Sequence, residues 1–419
     1  MISVVHTVTA MTTPTPPDRR AIAGVGLAFA SNGAIFASLL PWYPLLAERL
    51  DLGPAAFGLV VACFAVGSIA SSAAPAPLLA RFGPVPVAVV GTALVGVAVA
   101  SAAWSGAGWM LAVALLAAGF LDAVVDVAQN VAGIRVQDAA GRSILSSMHA
   151  LWSLGAVAGG AVSTVAASAG ADVRLHLAVS GVACLALVAV GGRLIGPAAR
   201  APGTPSAADA DADAAATAPA SDARRPGRLR RVLAVSLPLV AVAICGTMVE
   251  DVANNWAALS AVRIGGLPAD VAGLAFIVVI GSQCVGRFSG DALIQRSGRA
   301  AVARLGGALI AVGGILVVTT HGQVATLLLG LALAGYGSAT LVPSAMSAAA
   351  EIPGVSAGAG VTLVSWLMRL GFLVTSPLIG GLTEAVDLRL GLGLVVVVGA
   401  AAALLAGALG GRGPRTVDA

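Results

Sequence analysis

Twelve apolar runs, most of them about twenty residues long and nearly free of charge, recur along the 419-residue chain. A helix needs roughly 20 such residues to cross the hydrocarbon layer of a bilayer. In lipid the backbone polar groups must be satisfied within the chain, which leaves helices or a closed barrel. The runs are continuous rather than alternating, so the barrel pattern is excluded. Only 10% of the residues are charged and 58% are hydrophobic, whereas a soluble domain carries roughly 25% charged residues. The mean hydropathy of +0.97 agrees. The 53 glycines suit close packing of helices in lipid.

The runs predict spans at 21–45, 54–80, 84–104, 108–134, 145–168, 174–195, 232–261, 268–288, 300–319, 322–349, 355–382 and 388–410. Residues 196–230, rich in Ala, Pro and Asp and ending in an Arg cluster, bury no core and read as a mobile linker. The chain therefore divides into a disordered N-terminus (1–20), a six-helix bundle (21–195), the linker (196–230), a second six-helix bundle (231–410) and a tail (411–419). Arg19 and Arg20 precede an apolar run too long for a cleavable signal, and Met11 is an alternative start.

All 23 basic residues are Arg. Alternating spans put eighteen of them on the side of the termini and linker and four on the other side. By the positive-inside bias, the termini and linker are expected in the cytoplasm of a bacterial cell, with the chain in its inner membrane. The pI near 9.3 reflects those loops and implies no nucleic-acid partner. Cys63, Cys184, Cys245 and Cys284 lie inside apolar runs without metal-type spacing, so neither a metal site nor a disulfide framework is expected. No phosphate-binding glycine loop, nucleophile elbow or ATPase motif appears. An enzyme is the least favoured class, and no cofactor is expected.

A shift of about 215 residues aligns the halves: Trp42 meets Trp256, Pro54 meets Pro268, Gly58 meets Gly273, and Arg81 and Gly83 meet Arg296 and Gly298. With one more residue, Gly119 meets Gly335 and Gly155 meets Gly371. Two halves of six spans and the same topology predict an all-α membrane protein of twelve transmembrane helices in two bundles, related by a pseudo-two-fold along the membrane normal.

The Leu-x-x-Arg-x-Gly pattern after span 2 (Leu78, Arg81, Gly83) and again after span 8 (Leu293, Arg296, Gly298) resembles the loop motif of the major facilitator superfamily (MFS). The acidic residue that this motif carries before its Arg is replaced by Ala80 and Gln295, with Asp291 nearby in the second copy. Asp126 through Asn130, Arg142 through Gly155, and Arg287 through Asp291 resemble a bacterial branch of that superfamily, distantly related to fucose permease, with mostly unknown substrates. The resemblance implies the MFS fold and a secondary transporter whose spans 1, 4, 7 and 10 line a central cavity. It also implies a cytoplasmic gate at Arg81, Gly83, Arg296 and Gly298. Arg287 and Asp291, four residues apart, read as a cytoplasmic pair that is either gate or structure.

Ionisable groups at membrane depth are costly and mark function by default. Span 4 carries Asp122, Asp126 and Asn130 at a spacing of four, on one helix face. Span 7 carries Glu250 and Asp251, followed by Asn254 and Asn255; span 11 carries Arg369, span 1 Asn32, and span 5 His149 near its cytoplasmic end. These are the candidates for substrate binding or proton coupling, with Asp126 first, then Asp122 and Glu250. Each has a structural alternative: hydrogen bonding to a neighbouring helix for the acids, a carboxylate partnership for Arg369, and helix-end packing for His149. Trp42 and Trp256 read as interfacial anchors.

The expected function is secondary active transport of a small polar or anionic solute by alternating access with proton coupling, in a protein that acts as a monomer. The absence of Pro from the Gly155–Gly160 stretch of span 5 disfavours a typical drug efflux antiporter, and 4% aromatic residues make stacking platforms for sugars scarce. A drug or metabolite efflux antiporter and a non-transporting membrane sensor remain the alternatives.

Overall fold

The computed structural model describes residues 19–140, 144–196, 226–352 and 357–410. Met11, Arg142, most of the predicted linker and the tail from 411 lie outside the described residues. Within them there is no strand, and twelve helices are long and apolar enough to span a membrane. The first six are α1 (Arg19–Arg49), α2 (Pro54–Ala73), α3 (Pro84–Ala102), α4 (Gly108–Ala140), α5 (Ser147–Ser168) and α6 (Val173–Leu194). The second six are α7 (Val235–Arg263), α8 (Gly273–Gly290), α9 (Arg299–Thr319), α10 (Val324–Ala350), α11 (Leu363–Ala385) and α12 (Leu388–Leu409).

Every predicted span meets one of these helices, and the departures have one cause. Hydropathy registers the part of a helix that sits in lipid and misses polar turns that continue beyond it. Thus α4 runs on to Ala140, the α8 helix continues to Ser297, and the helix leading into α7 starts at Pro226, inside the predicted linker.

The bundles repeat each other contact for contact. In the first, α1 packs on α5 and α6, α2 on α4, and α3 on α4 and α6. In the second, α7 packs on α11 and α12, α8 on α10, and α9 on α10 and α12. The repeated glycines mark the crossings. Gly119 lies against the Phe64 carbonyl of α2 and Gly335 against the Val279 carbonyl of α8, so any side chain there would push the helices apart. In the loop motif, Gly83 (φ 78°) and Gly298 (φ 81°) take left-handed backbone that ends one helix and starts the next. A Cβ is costly in that conformation. Arg81 and Arg296 are exposed beside them, and among the described residues neither makes an ion pair.

The bundles meet along two seams, α2 with α11 and α5 with α8. Pro54 and Gly58 touch Gly380 and Ser376 in the first, and Gly160 and Thr164 touch Phe276 and Gly273 in the second. All of these lie toward the end opposite the Arg-rich loops. Toward the basic end, the helices Pro75–Phe82 and Ala357–Leu367 pack mainly within their own bundles. The molecule is closed at one end and parted at the basic end.

Trp42 and Trp256 are corrections to the sequence reading. Both are buried, because the closed end consumes them. Trp256 stands edge-on to Phe57 of the other bundle at 5.4 Å, and Phe57 edge-on to Tyr43 at 5.6 Å. The exposed tryptophans near that end are Trp104 and Trp109, the former covered by the Arg174 guanidinium at 4.4 Å. Cys63, Cys184, Cys245 and Cys284 are all free thiols.

Candidate functional site

Four spans lose regular helix where polar residues gather at membrane depth. Pro41 and Pro44 turn α1 through a short 3-10 segment, Leu40–Trp42. α10 is interrupted at Ala339 and Thr340. α11 breaks at Met368, whose carbonyl accepts the Thr247 hydroxyl at 2.9 Å. α7 contains a wider π-helical turn, Val252–Trp256. Neighbouring residues on an α-helix point about 100° apart. The wider turn brings Glu250, Asp251, Asn254 and Asn255 all to one cavity.

That cavity, of about 220 Å³, lies between the bundles. The first bundle supplies a mostly apolar wall with Asp122 in it, and the second supplies the four polar residues of α7 together with Arg369 and Phe372. Five of its fifteen lining residues are aromatic: Phe36, Tyr43, Phe64, Trp152 and Phe372. The expectation that stacking surfaces would be scarce is therefore wrong for this site. The few aromatics of the chain are concentrated in it, which an average composition hides.

Each bundle holds one acid by side chains from neighbouring helices. α1 and α5 touch where Gly33 lies on the Trp152 carbonyl and Gly155 on the Ala30 carbonyl. This crossing lets the Trp152 indole donate to Asn32 Oδ1 at 2.7 Å, while Asn32 Nδ2 donates to Asp122 at 2.7 Å. In the second bundle Gly371 lies against Thr247. One turn on, the Ser376 hydroxyl donates to Asp251 Oδ2 at 2.5 Å, and Asn255 Nδ2 donates to Asp251 Oδ1 at 2.8 Å. Ser376 in turn accepts the Trp256 indole N–H at 3.0 Å.

The remaining candidates separate. Asp126 does not line the cavity; its carboxylate accepts from Gln129 and Asn130 of its own helix, at 3.2 and 3.1 Å. Asn130 is used in that way. His149 is exposed at the basic end of α5, edge-on to Phe29 at 5.2 Å and within electrostatic reach of Asp126 and Arg287.

Arg287 does not line the cavity but reaches Glu250, which does. It lies inside α8, 3.7 Å from Glu250, and donates to Ser153 of the other bundle at 2.6 Å. The Asp291 side chain lies outside the described part of the structure. Arg369 lines the cavity and donates to the Ser68 carbonyl across the seam at 3.4 Å. Among the described residues it has no carboxylate within ion-pair distance, so the carboxylate partnership weighed as its structural alternative is absent there. Ser153, Ser376, Trp152 and Tyr43 escaped the sequence reading because serines and aromatics in an apolar run carry no cost that singles them out.

No protein-family model matches the chain. Over 386 residues, 91% of this chain and 96% of the relative, it is 27% identical to an uncharacterized transporter of Sinorhizobium fredii. Over 373 residues, 89% of this chain and 91% of the relative, it is 24% identical to an uncharacterized MFS-type transporter of Yersinia pestis. The solved structure of a D-xylose–proton symporter superposes with a TM-score of 0.70 over 94% of this chain and 96% of that one, at 14% identity. These relatives are transporters rather than enzymes. With that similarity running nearly end to end, and with two six-helix bundles packed in the same repeated order, the chain has the fold of the major facilitator superfamily transporters and resembles them along its length.

Proposed function

We propose that the protein is a secondary active transporter that carries a small polar or anionic solute by alternating access, coupled to protons at the cavity acids. The observation that carries this reading is Arg369. It faces the cavity with one long bond to a backbone carbonyl, while Asp122 and Asp251 are each held by donors from their own bundle. A guanidinium with open donors suits an anionic or hydrogen-bonding solute. The positive-inside bias supports reading the parted end as cytoplasmic, which makes this an inward-facing conformation in the inner membrane with both termini in the cytoplasm on our reading.

Rocking of the bundles about α2–α11 and α5–α8 would close the basic end and open the other. Asp251 is suited to coupling because its hydrogen bonds reach the closed end: Ser376 joins it to Trp256, which faces Phe57 across the seam. A proton or solute arriving at Asp251 alters what holds Ser376, and through it Trp256. Asp122 is the second coupling candidate; Asp126, off the cavity, falls behind both. With no ATPase motif in the sequence, the drive is a gradient.

The test is uptake by proteoliposomes under an imposed pH gradient, with solutes chosen by a binding screen. Asp251→Asn should keep exchange of solute and lose accumulation driven by the gradient. Full gradient-driven accumulation by both Asp251→Asn and Asp122→Asn would refute the coupling, and no solute flux for any bound ligand would refute transport.

A further inference from the structure

We infer that the solute is an aromatic anion, with an acidic group carried on or within a bond or two of a flat ring. The inference rests on the transporter reading for its consequence, but it stands on the cavity's two unlike walls. Aromatic residues are 4% of the chain and a third of this lining. Three of them form one surface on the first bundle: Phe36 meets Phe64 edge-on at 5.3 Å and lies 6.1 Å from Trp152 at a shallow angle. Facing them, the second bundle presents almost entirely polar side chains and Arg369.

The charge and the rings are adjacent. Arg369 reaches the carbonyl of Ser68, which is four residues beyond Phe64 on α2, about 6 Å along the axis. Phe372 lies three residues beyond Arg369 on α11, on the same face. A ligand whose anion sits on the guanidinium therefore has aromatic surface within a few ångströms on two sides. Polyols would leave that surface covered by hydroxyls, and simple aliphatic acids would leave it uncovered. Aromatic rings gain most from edge-to-face and offset contacts with another ring, and an Arg fork suits a carboxylate.

The experiment titrates purified full-length protein in nanodiscs with three probes of matched size: benzoate, benzamide, and cyclohexanecarboxylate. Benzoate is expected to bind at least tenfold more tightly than either control. Arg369→Gln should erase the preference over benzamide and keep that over cyclohexanecarboxylate; Phe64→Leu and Phe372→Leu should do the reverse. Equal binding of the three probes, loss of all three alike in each variant, or binding of sugars and aliphatic acids in their place would overturn the inference. Counterflow in proteoliposomes separates the two readings. Benzoate that binds with these preferences but is not moved leaves the inference standing and removes transport. A sugar moved in its place leaves transport standing and removes the inference.

Discussion

The hydroxyl of Ser376 on α11 donates to the carboxylate of Asp251 on α7 at 2.5 Å. The same oxygen accepts the indole N–H of Trp256, so one serine ties a cavity acid to the aromatic contact that closes the far end. Ser376→Ala should leave that fully buried N–H without an acceptor and Asp251 short of a donor. An orphaned buried polar group costs about 1–3 kcal/mol. Thermal unfolding in detergent should therefore show a clear loss of stability, and Ser376→Thr should restore part of it.

Gly58 touches the Ser376 carbonyl across the α2–α11 seam. Gly58→Ala forces a methyl into backbone, and overpacking of this kind costs about 1–3 kcal/mol. Parting the seam relieves it, so the variant should favour the state open at the opposite end. A cysteine at Leu40, buried beneath the closed end, should then react faster with an impermeant maleimide added outside. The native cysteines are removed first. Gly281→Ala, which meets no atom within 4 Å, is the control and should leave the rate unchanged.

Arg287 and Glu250 are 3.7 Å apart, with side chains 31% and 17% exposed. At that distance and exposure a direct coupling of under about 1 kcal/mol is expected. A double-mutant cycle of Arg287→Gln and Glu250→Gln, read by thermal unfolding, should return a small value. The larger effect of Arg287→Gln should fall on transport, through the lost bond to Ser153 across the α5–α8 seam.

The topology prediction is independent of the site. A cysteine at Ala220, in the linker between the bundles, should be protected from impermeant reagent in intact cells and react after lysis. One at Ala171, between α5 and α6, should react in intact cells.

The fold was largely legible because lipid leaves the sequence so little freedom: apolar length set the spans. The repeat was legible through residues with a geometric task, such as Gly83 and Gly298 at positive φ. The acids were found by their cost, but what each one touches was not. Asp126 outranked Asp122 on the helix face they share, and only the crossing of α1 and α5 shows that Asn32, itself held by Trp152, reaches Asp122. The contacts of Arg287 were not legible because spacing along one helix says nothing of the side chains on its neighbours. Its long side chain turns toward Glu250 on α7. The aromatic wall was hidden because its members come from four different spans, with no spacing in common.

The seams have a mechanical consequence. At Gly58, Gly380 and Gly273 the bundles approach on glycine backbone, with few large side chains, Phe276 against Gly160 among them, to be unhooked before the surfaces part. Such a joint works like a plain bearing rather than a pair of gears: it sets the axis of motion and offers little resistance to it. In the proposed cycle, whatever slows the motion would then sit elsewhere, at Trp256 against Phe57 on one side of the cavity and at the reach of Arg287 on the other.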